Sequence, residues 1–246
     1  MNYIYNSKKK FDFIKNNINH IAIIMDGNRR WAINKNKSYI DGHKAGVKAV
    51  KKIIKYSIIC NLKVLTLYAF SSENLNRSKQ EVESLINLFL VVLNSDLDIL
   101  YKNNIKLRII GDISLFGSFF KNSILHAHEL TKLNTGLLLN IAINYGGRWD
   151  IIQGIKKLIS KIKYKKISSE SINENYLSKF LCIDSKIPVD LVIRTGGEYR
   201  ISNFMLWQIA YSELYFTNTL WPDFNEHSFQ LAIKEFLKRD RRFGGS

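Results

Sequence analysis

The sequence contains little cysteine and proline, and these shortages exclude several classes of protein. Its two cysteines, Cys60 and Cys182, stand far apart and form no CxxC pair, so we expect two core thiols in a reducing compartment rather than a zinc or redox site. There are two prolines, and no repeat, low-complexity tract or linker is apparent. A chain of 246 residues with 46% hydrophobic composition is therefore predicted to form a single domain over 1–246, with a mobile N-terminal segment at 1–18 and a C-terminal tail at 240–246.

Long apolar runs are also missing. No segment approaches the roughly 18 consecutive apolar residues of a spanning helix. The N-terminus, MNYIYNSKKKFDF, lacks the order of a secretory signal. These two features predict an intracellular, cytoplasmic protein.

Arginine is scarce in a chain whose formal charge is +16. This charge could serve nucleic acid, anionic lipid or a phosphorylated substrate, but lysine is spread along the whole chain, as a coding bias would produce. Planar guanidiniums beside flexible backbone suit bidentate phosphate recognition. With no helix-turn-helix, zinc-finger or RNA-recognition signature, nucleic acid is not expected as a partner. Most of the arginines lie in or beside glycine-containing polar turns: Arg29, Arg30, Arg148, Arg194, Arg200, Arg241 and Arg242.

Short apolar runs alternate with helical patterns, which predicts an α/β fold with a central six-stranded, mostly parallel sheet flanked by helices. One helix, over 82–100, is apolar nearly all round in its first half. It is either a packed core helix or one wall of an apolar tunnel between the sheet and the helices, and the pattern alone allows both. The predicted strands span 21–25, 64–70, 107–110, 137–143, 191–193 and 214–216.

Four polar clusters, at 26–31, 71–77, 144–150 and 194–203, follow predicted strands. In open α/β sheets ligands bind at the carboxyl edge, so the clusters are expected to converge there. Alone, the first cluster (DGNRRW) could equally be an ordinary strand-to-helix turn with solvated arginines. Together the clusters offer enough guanidinium and hydroxyl groups for two diphosphates, namely Arg30, Arg77, Arg194, Arg200, Ser71 and Ser202.

Asp26 is the one carboxylate of the first cluster. A Mg²⁺ ion held by few protein carboxylates and by substrate phosphates is the usual arrangement for that ion. His43, in Gly42-His43-Lys44, is placed at the opening of the next helix, where a phosphate could meet helix amides; a structural role for this histidine is the alternative.

Several familiar enzyme motifs are absent from the sequence. There is no GxxxxGK[ST] phosphate loop, no GxGxxG after the first strand and no GxSxG nucleophile elbow. There is also no DDxxD pair, which enzymes that ionise allylic diphosphates through a trimetal cluster require.

The clusters, read as HIAIIMDGNRRWA, GHKAG, LTLYAFSSEN with Arg77, NIAINYGGRWDI and PVDLVIRTGGEYRISNFMLWQIAYSELYF, closely resemble the bacterial undecaprenyl diphosphate synthases, a family of cis-prenyltransferases. The resemblance runs from about His20 to the C-terminal RRFGG, in family order and spacing. It implies Mg²⁺-dependent condensation of isopentenyl diphosphate onto farnesyl diphosphate, with a cis double bond at each addition, to make the lipid carrier for cell-wall glycans. It also implies a homodimer and peripheral contact with the membrane, at its inner face, through the product.

The same resemblance assigns roles by position. Asp26 and Asn74 are the expected catalytic residues, and Asp26 and Glu213 the expected metal ligands. Arg242, in Arg242-Phe243-Gly244, is expected to reach the partner's site. The remaining expected substrate-binding residues are Gly27, Asn28, Arg29, Arg30, Trp31, His43, Ser71, Ser72, Glu73, Arg77, Arg194, Arg200, Ile201 and Ser202.

Two positions depart from the family pattern. Position 39 is Tyr where an arginine on the diphosphate is common, and position 75 is Leu where Trp is common. Because a charge-assisted hydrogen bond is worth about 1.5–3 kcal/mol, Tyr39 predicts a raised KM for farnesyl diphosphate unless Arg29 or Lys37 compensates. A cis-prenyltransferase of another product length and a noncatalytic partner subunit remain as alternatives.

Overall fold

The computed structural model describes residues 18–164, 167–183 and 186–241. All six predicted strands form, with ends that differ from the prediction by at most two residues. The strands are β1 (His20–Ile24), β2 (Val64–Ser71), β3 (Lys106–Ile110), β4 (Leu138–Tyr145), β5 (Leu191–Arg194) and β6 (Glu213–Phe216).

The strands make one sheet in the order β3-β4-β2-β1-β5-β6, and every neighbouring pair is parallel. Ile23 of β1 aligns with Leu67 of β2 on one side and with Ile193 of β5 on the other. Every residue of β1 is buried, as expected for a parallel strand covered on both faces. The exits of β1, β2, β4 and β5 therefore lie side by side, and the predicted α/β fold is confirmed.

Seven α-helices are described, and they connect and cover the strands. The predicted helix over 82–100 is the central part of α3. The helices are α1 (Asn28–Asn34), α2 (Tyr39–Ile59), α3 (Lys79–Lys102), α4 (Gly117–Thr131), α5 (Gly147–Lys163), α6 (Glu174–Ser178) and α7 (Glu226–Leu237).

The apolar character of α3 has two causes. In its second half, Leu93 and Leu97 are buried in the core. In its first half the apolar side chains are only half-buried, because they face an apolar cavity of about 150 Å³ between α2, α3 and the sheet. Both interpretations of the helix therefore hold, each for one half. The wall that α3 contributes consists of Leu85, Ile86, Leu88, Phe89 and Val92.

By length and composition α3 is also the one helix of the described chain that could cross a membrane, with a mean hydropathy of 1.4 over its most apolar window. Its side chains instead line the cavity and pack on the sheet and on α4. This packing accounts for part of the apolar composition, because Val91 and Ile99 of the same helix are exposed.

Both chain ends extend beyond the described residues. Ile18, the last residue of the predicted N-terminal segment, is buried in the core, and residues 1–17 lie outside the described part. Of the predicted tail, 240 and 241 are described, and residues 242–246, including Arg242, are not.

Candidate active site

The four polar clusters meet in one cavity of about 870 Å³ at the carboxyl edge of the sheet. Six arginines and two carboxylates line it, so the wall carries an excess of positive charge. Such a wall suits a ligand with several negative charges. The predicted site residues found in the wall are Asp26, Gly27, Asn28, Arg29, Arg30, His43, Ser71, Glu73, Asn74, Arg77, Arg194, Arg200 and Ser202.

Asp26 joins two arginines from opposite ends of the sequence. Its Oδ1 lies 3.2 Å from Nη2 of Arg30, and its Oδ2 accepts a hydrogen bond of 3.0 Å from Nη2 of Arg194. β1 and β5 are adjacent, so their exits are neighbours although they are 168 positions apart in sequence. The first and fourth clusters therefore form one site.

Arg194 also organises the loop that follows it. Its Nη1 donates to the carbonyl oxygen of Arg200 at 2.5 Å and to Oγ of Ser202 at 2.7 Å. Arg194 is only 4% exposed, whereas Arg200 and Ser202 reach the surface of the cavity. The buried guanidinium of Arg194 thus fixes the backbone at Arg200, whose own guanidinium is more exposed.

Close backbone approach shapes the first cluster. Gly27 precedes α1 with φ +112°, a conformation that other residues rarely adopt, and a Cβ there would lie 2.9 Å from Cδ2 of Leu220. A Cβ at Gly42 would lie 2.2 Å from the carbonyl oxygen of Asn28, and one at Gly46 2.3 Å from Oδ1 of Asn28. The two glycines of GHKAG therefore let α2 press against Asn28, whose side chain reaches the cavity.

His43 does not open a helix, so this part of the prediction is wrong. The helix α2 begins at Tyr39, and Ser38 caps it together with Asp41 in a capping box, which satisfies two of the N–H groups at this helix end, those of Ser38 and Asp41. His43 lies one turn further along and faces the cavity. Burial, with a smaller contribution from the nearby Arg77, lowers the pKa of His43 to about 4, so its imidazole is neutral at pH 7.

The second cluster forms a short 3₁₀ helix, Ser72–Asn76. The Ser71 backbone N–H donates to Oδ1 of Asn74 at 3.0 Å, in a capping box between the two residues. The amide oxygen of Asn74 is therefore already engaged. This contact holds the Asn74 side chain beside Ser71 in the cavity wall.

Asn203, the last residue of the fourth cluster, was not among the expected site residues, and it connects three of the clusters. Its Nδ2 donates to Oε1 of Glu73 at 2.8 Å, and its Oδ1 accepts from the Arg148 N–H at 3.0 Å. Its φ of +59° lies in the left-handed region, which Asn tolerates better than most residues. Burial opposes ionisation of Glu73, but hydrogen bonds, first that from Asn203, lower its pKa below the ordinary value.

Arg148 is a second cavity residue that the prediction omitted. It follows the two glycines of NYGGRWD at the start of α5. Its cluster had been singled out, so the signal was present. Its position in the wall supplies a further cation for an anionic ligand.

Three predicted binding residues have other contacts than the cavity. Trp31 donates from Nε1 to Oδ1 of Asp223 at 2.8 Å. Ser72 donates to Oε2 of Glu73 at 3.2 Å. Ile201 packs on the buried cluster around Tyr68 and Phe204.

The structure does not bring Glu213 to Asp26. Glu213 begins β6 in register with Leu191, at the amino end of the parallel strands, whereas Asp26 follows their carboxyl end. At about 3.3 Å per residue this separates the two roughly 15 Å along the strands. The Glu213 carboxylate accepts instead from Nη1 of Arg239 at 2.7 Å. Within a single chain the two predicted metal ligands therefore do not lie side by side, and their metal-binding roles stay predictions.

The two atypical positions have ordinary packing roles. Tyr39 donates from its hydroxyl to Oγ of Ser84 at 3.4 Å and so connects α2 with α3. Leu75 is half-buried against the hydrophobic core. Neither side chain reaches the wall of the polar cavity, as far as the described residues show.

The polar cavity adjoins the apolar one. Met25, His43 and Leu85 belong to both walls. A ligand bound across this boundary would place a charged head among arginines and an apolar chain beside α3.

Comparisons with known proteins agree with this geometry. A family model described as "Putative undecaprenyl diphosphate synthase" matches residues 24–244. The (2E,6E)-farnesyl-diphosphate-specific ditrans,polycis-undecaprenyl-diphosphate synthase of Buchnera aphidicola subsp. Acyrthosiphon pisum (strain APS) is 58% identical, over 92% of this chain and 90% of its own. The enzyme of the same name from Escherichia coli K12 is 52% identical over the same shares.

A solved structure supports the same assignment. Lavandulyl diphosphate synthase from Lavandula x intermedia, in complex with dimethylallyl diphosphate, superposes with a TM-score of 0.89 at 36% identity. The match covers 95% of this chain and all of that one. The chain therefore belongs to the undecaprenyl diphosphate synthase family of cis-prenyltransferases.

Proposed function

We propose that this protein condenses isopentenyl diphosphate units onto farnesyl diphosphate, with a cis double bond at each addition, to make undecaprenyl diphosphate, the lipid carrier for cell-wall glycans. The observation that supports this most directly is one cavity in which arginines of the first and fourth clusters converge beside an apolar chamber. The names of the farnesyl-diphosphate-specific relatives support the choice of substrates.

The two groups of arginines suit two diphosphates. Arg29 and Arg30 follow Asn28, which lines both cavities, so we assign them to the allylic diphosphate, whose prenyl chain would enter the apolar chamber. Arg194, Arg200 and Ser202 lie together at the exit of β5, and we assign them to isopentenyl diphosphate. Bidentate guanidinium contacts supply both affinity and orientation for such groups.

The donor set around Asp26 fits Mg²⁺ in one particular way. Within the described ranges no three His, Cys, Asp or Glu side chains group as metal ligands, so a cage made of protein alone is not offered. One carboxylate facing a cavity built for diphosphates matches the usual arrangement for this ion, with substrate oxygens as the other ligands. Bound to Asp26, Mg²⁺ would neutralise negative charge on the leaving diphosphate.

The chain's own residues can stabilise the first chemical step. As the allylic carbon–oxygen bond breaks, negative charge grows on the diphosphate and positive charge on the allylic carbon. Arg30 and Arg194 are already held in place by Asp26, so little reorganisation is needed when that charge develops. The alkene of isopentenyl diphosphate then attacks the allylic carbon and must lose a proton.

The proton leaves toward a group that Asn74 orients. An amide is a poor base, and the Oδ1 of Asn74 already accepts from the Ser71 N–H. His43 is neutral, but with a pKa of about 4 it is a weak base too. We therefore assign Asn74 an orienting role in a relay that ends on a diphosphate oxygen.

Product length is set by how far the apolar chamber can open. A cavity of about 150 Å³ holds a group roughly the size of benzene. Growth to the undecaprenyl length therefore requires α3 and α2 to separate. A shorter product is the second candidate, favoured by this small volume.

The edge of the sheet supports the proposed homodimer. β6 is an edge strand of the described sheet, and Leu214 on it is 36% exposed while Tyr211 just before it is 74% exposed. Unpaired edge strands with apolar side chains are common sites of association. Because the product is a lipid, we propose a cytoplasmic protein that contacts the inner face of the membrane through that product.

One assay tests the function. Purified protein is incubated with farnesyl diphosphate, labelled isopentenyl diphosphate and Mg²⁺, and chain length is measured by mass spectrometry. We expect undecaprenyl-length product, with extension abolished by a chelator and restored by added Mg²⁺. A shorter product would support the second candidate. No extension at all would contradict the enzyme assignment and favour a noncatalytic partner subunit.

A further inference from the structure

Glu198 bridges the two groups of arginines. Its Oε1 lies 3.6 Å from Nη1 of Arg30, and its Oε2 accepts from Nη1 of Arg200 at 2.5 Å. Arg30 follows β1 and Arg200 follows β5, so a single carboxylate spans guanidiniums that we assign to different diphosphates. None of the roles assigned above uses Glu198.

The turn that carries Glu198 is fixed. Gly196 and Gly197 have φ of +87° and +75°, and their N–H groups donate to the carbonyl oxygens of Thr219 and Thr217. A Cβ at Gly196 would lie 2.6 Å from Nη2 of Arg30. The backbone of this turn is therefore pressed against Arg30, and Glu198 starts from a fixed point beside it.

The side chain itself can move. It is 34% exposed, and Arg30 and Arg200 are 44% and 60% exposed, so solvent reaches both ion pairs. Pairs this exposed are worth about 0.2–1 kcal/mol each. Glu198 can therefore leave its partners at low cost when another anion competes for them.

Arg30 contacts a second carboxylate besides that of Glu198. Asp26 already contacts its Nη2 at 3.2 Å, on the other side from Glu198. A diphosphate oxygen that approaches Nη1 of Arg30 or Nη1 of Arg200 would meet the Glu198 carboxylate at the same place. Like charges at this distance cannot share one guanidinium without repulsion.

We propose that Glu198 acts as a built-in substitute for the substrate anions. It holds Arg30 and Arg200 in position in the free site, gives way when diphosphates bind, and returns when they leave. It is a positioning residue that weakens diphosphate affinity and speeds release of product diphosphate. This inference rests on the proposed function, because it concerns the same two diphosphates.

The test compares Glu198→Gln with the wild type, using inorganic pyrophosphate as the probe in titration calorimetry with Mg²⁺ at fixed salt. The amide removes the competing charge, so we expect pyrophosphate to bind about three- to tenfold tighter. We also expect pyrophosphate to inhibit turnover more strongly by a similar factor, with a lower KM for isopentenyl diphosphate and a lower kcat. If the Glu198 carboxylate were needed only for packing, its replacement would instead raise KM for isopentenyl diphosphate.

Glu129→Gln is the matched control, because Glu129 is a surface carboxylate on α4 that also pairs with a basic side chain, that of Lys132. The pyrophosphate affinity of Glu129→Gln should equal that of the wild type. If both variants bound pyrophosphate more tightly by the same factor, the change in net charge would explain the effect, and the proposal would be overturned. Unchanged or weaker binding by Glu198→Gln would overturn it too. If Glu198→Gln does not fold, Glu198→Asp provides the test, because its shorter side chain moves the carboxylate away from Arg30 and Arg200. Tighter pyrophosphate binding by Glu198→Asp supports the proposal, and equal or weaker binding overturns it. Wild-type protein that fails to extend farnesyl diphosphate would contradict the function, whereas active wild type with no gain in Glu198→Gln contradicts only this inference.

Discussion

Replacing Arg194 by lysine should separate the geometry of this residue from its charge. The guanidinium makes three hydrogen bonds, to Asp26 Oδ2, Ser202 Oγ and the Arg200 carbonyl oxygen, at 3.0, 2.7 and 2.5 Å. An ammonium keeps the positive charge but is compact and lacks the planar fork that reaches partners on two sides. We expect Arg194→Lys to keep one of these contacts and lose the others.

The magnitude follows from those contacts. A hydrogen bond to a charged group is worth about 1.5–3 kcal/mol, and water near the partly exposed Asp26 and the exposed Ser202 reduces this. A net loss of about 2–3 kcal/mol of transition-state stabilisation lowers kcat/KM for isopentenyl diphosphate by about 30- to 150-fold. The loosened loop at 200–202 should also raise KM for isopentenyl diphosphate more than KM for farnesyl diphosphate.

Steady-state kinetics with each substrate varied in turn provide the measurement, and thermal unfolding checks that the variant is folded. Arg108→Lys is the control, because Arg108 lies on β3 and is not in the wall of the cavity. Its kinetics should match the wild type. A value of kcat/KM for Arg194→Lys within threefold of the wild type, or an equal rise in both KM values, would refute the reasoning.

Three further predictions concern the same cavity and its surroundings. Tyr39→Arg gives up one long hydrogen bond, to Ser84, and restores the guanidinium that the family pattern has at this position. If this longer cation turns from Ser84 into the cavity, KM for farnesyl diphosphate should fall about tenfold or more, and no improvement would refute the prediction that Tyr39 weakens binding of that substrate. Asn74→Ala should lower kcat at least tenfold with little change in either KM, because the residue orients a proton transfer; near-normal turnover in single-turnover kinetics would contradict this role. Asn203→Ala removes the hydrogen bond that favours the charged form of Glu73, so the pKa of Glu73 should rise, and a carboxyl titration followed by NMR that leaves it unchanged would rule out the contact.

The sequence predicted the fold and most of the candidate site because both follow from short-range patterns. Strand β1 is buried at every residue and apolar from Ile21 to Ile24, and such runs, separated by helical patterns, allow little besides a parallel sheet. Because each polar cluster follows a predicted strand, the sequence also predicted that Asp26 and Arg194 lie at the same carboxyl edge of the sheet. The family resemblance supplied the roles that pattern alone could not.

The sequence did not predict which way individual side chains point or which distant residues they contact. Glu213 is the first residue of its four-residue strand, which places it at the amino end of the parallel strands, whereas Asp26 follows their carboxyl end. Trp31 is in the right cluster, but the turn of α1 directs its indole toward Asp223. Asn203 was passed over because its role depends on a left-handed backbone and on partners far away in sequence.

The central place of β1 in the sheet has a consequence for how the protein is made. β1 pairs with β5, and that pairing joins residues about 170 positions apart, such as Ile21 and Leu191. Contacts of such long sequence separation form slowly and late in folding. A growing chain therefore cannot bind both diphosphates until β5 has been synthesised and has docked beside β1. Any ligand that bridges the two strand exits should then stabilise the finished fold against unfolding, because it binds only where that pairing exists.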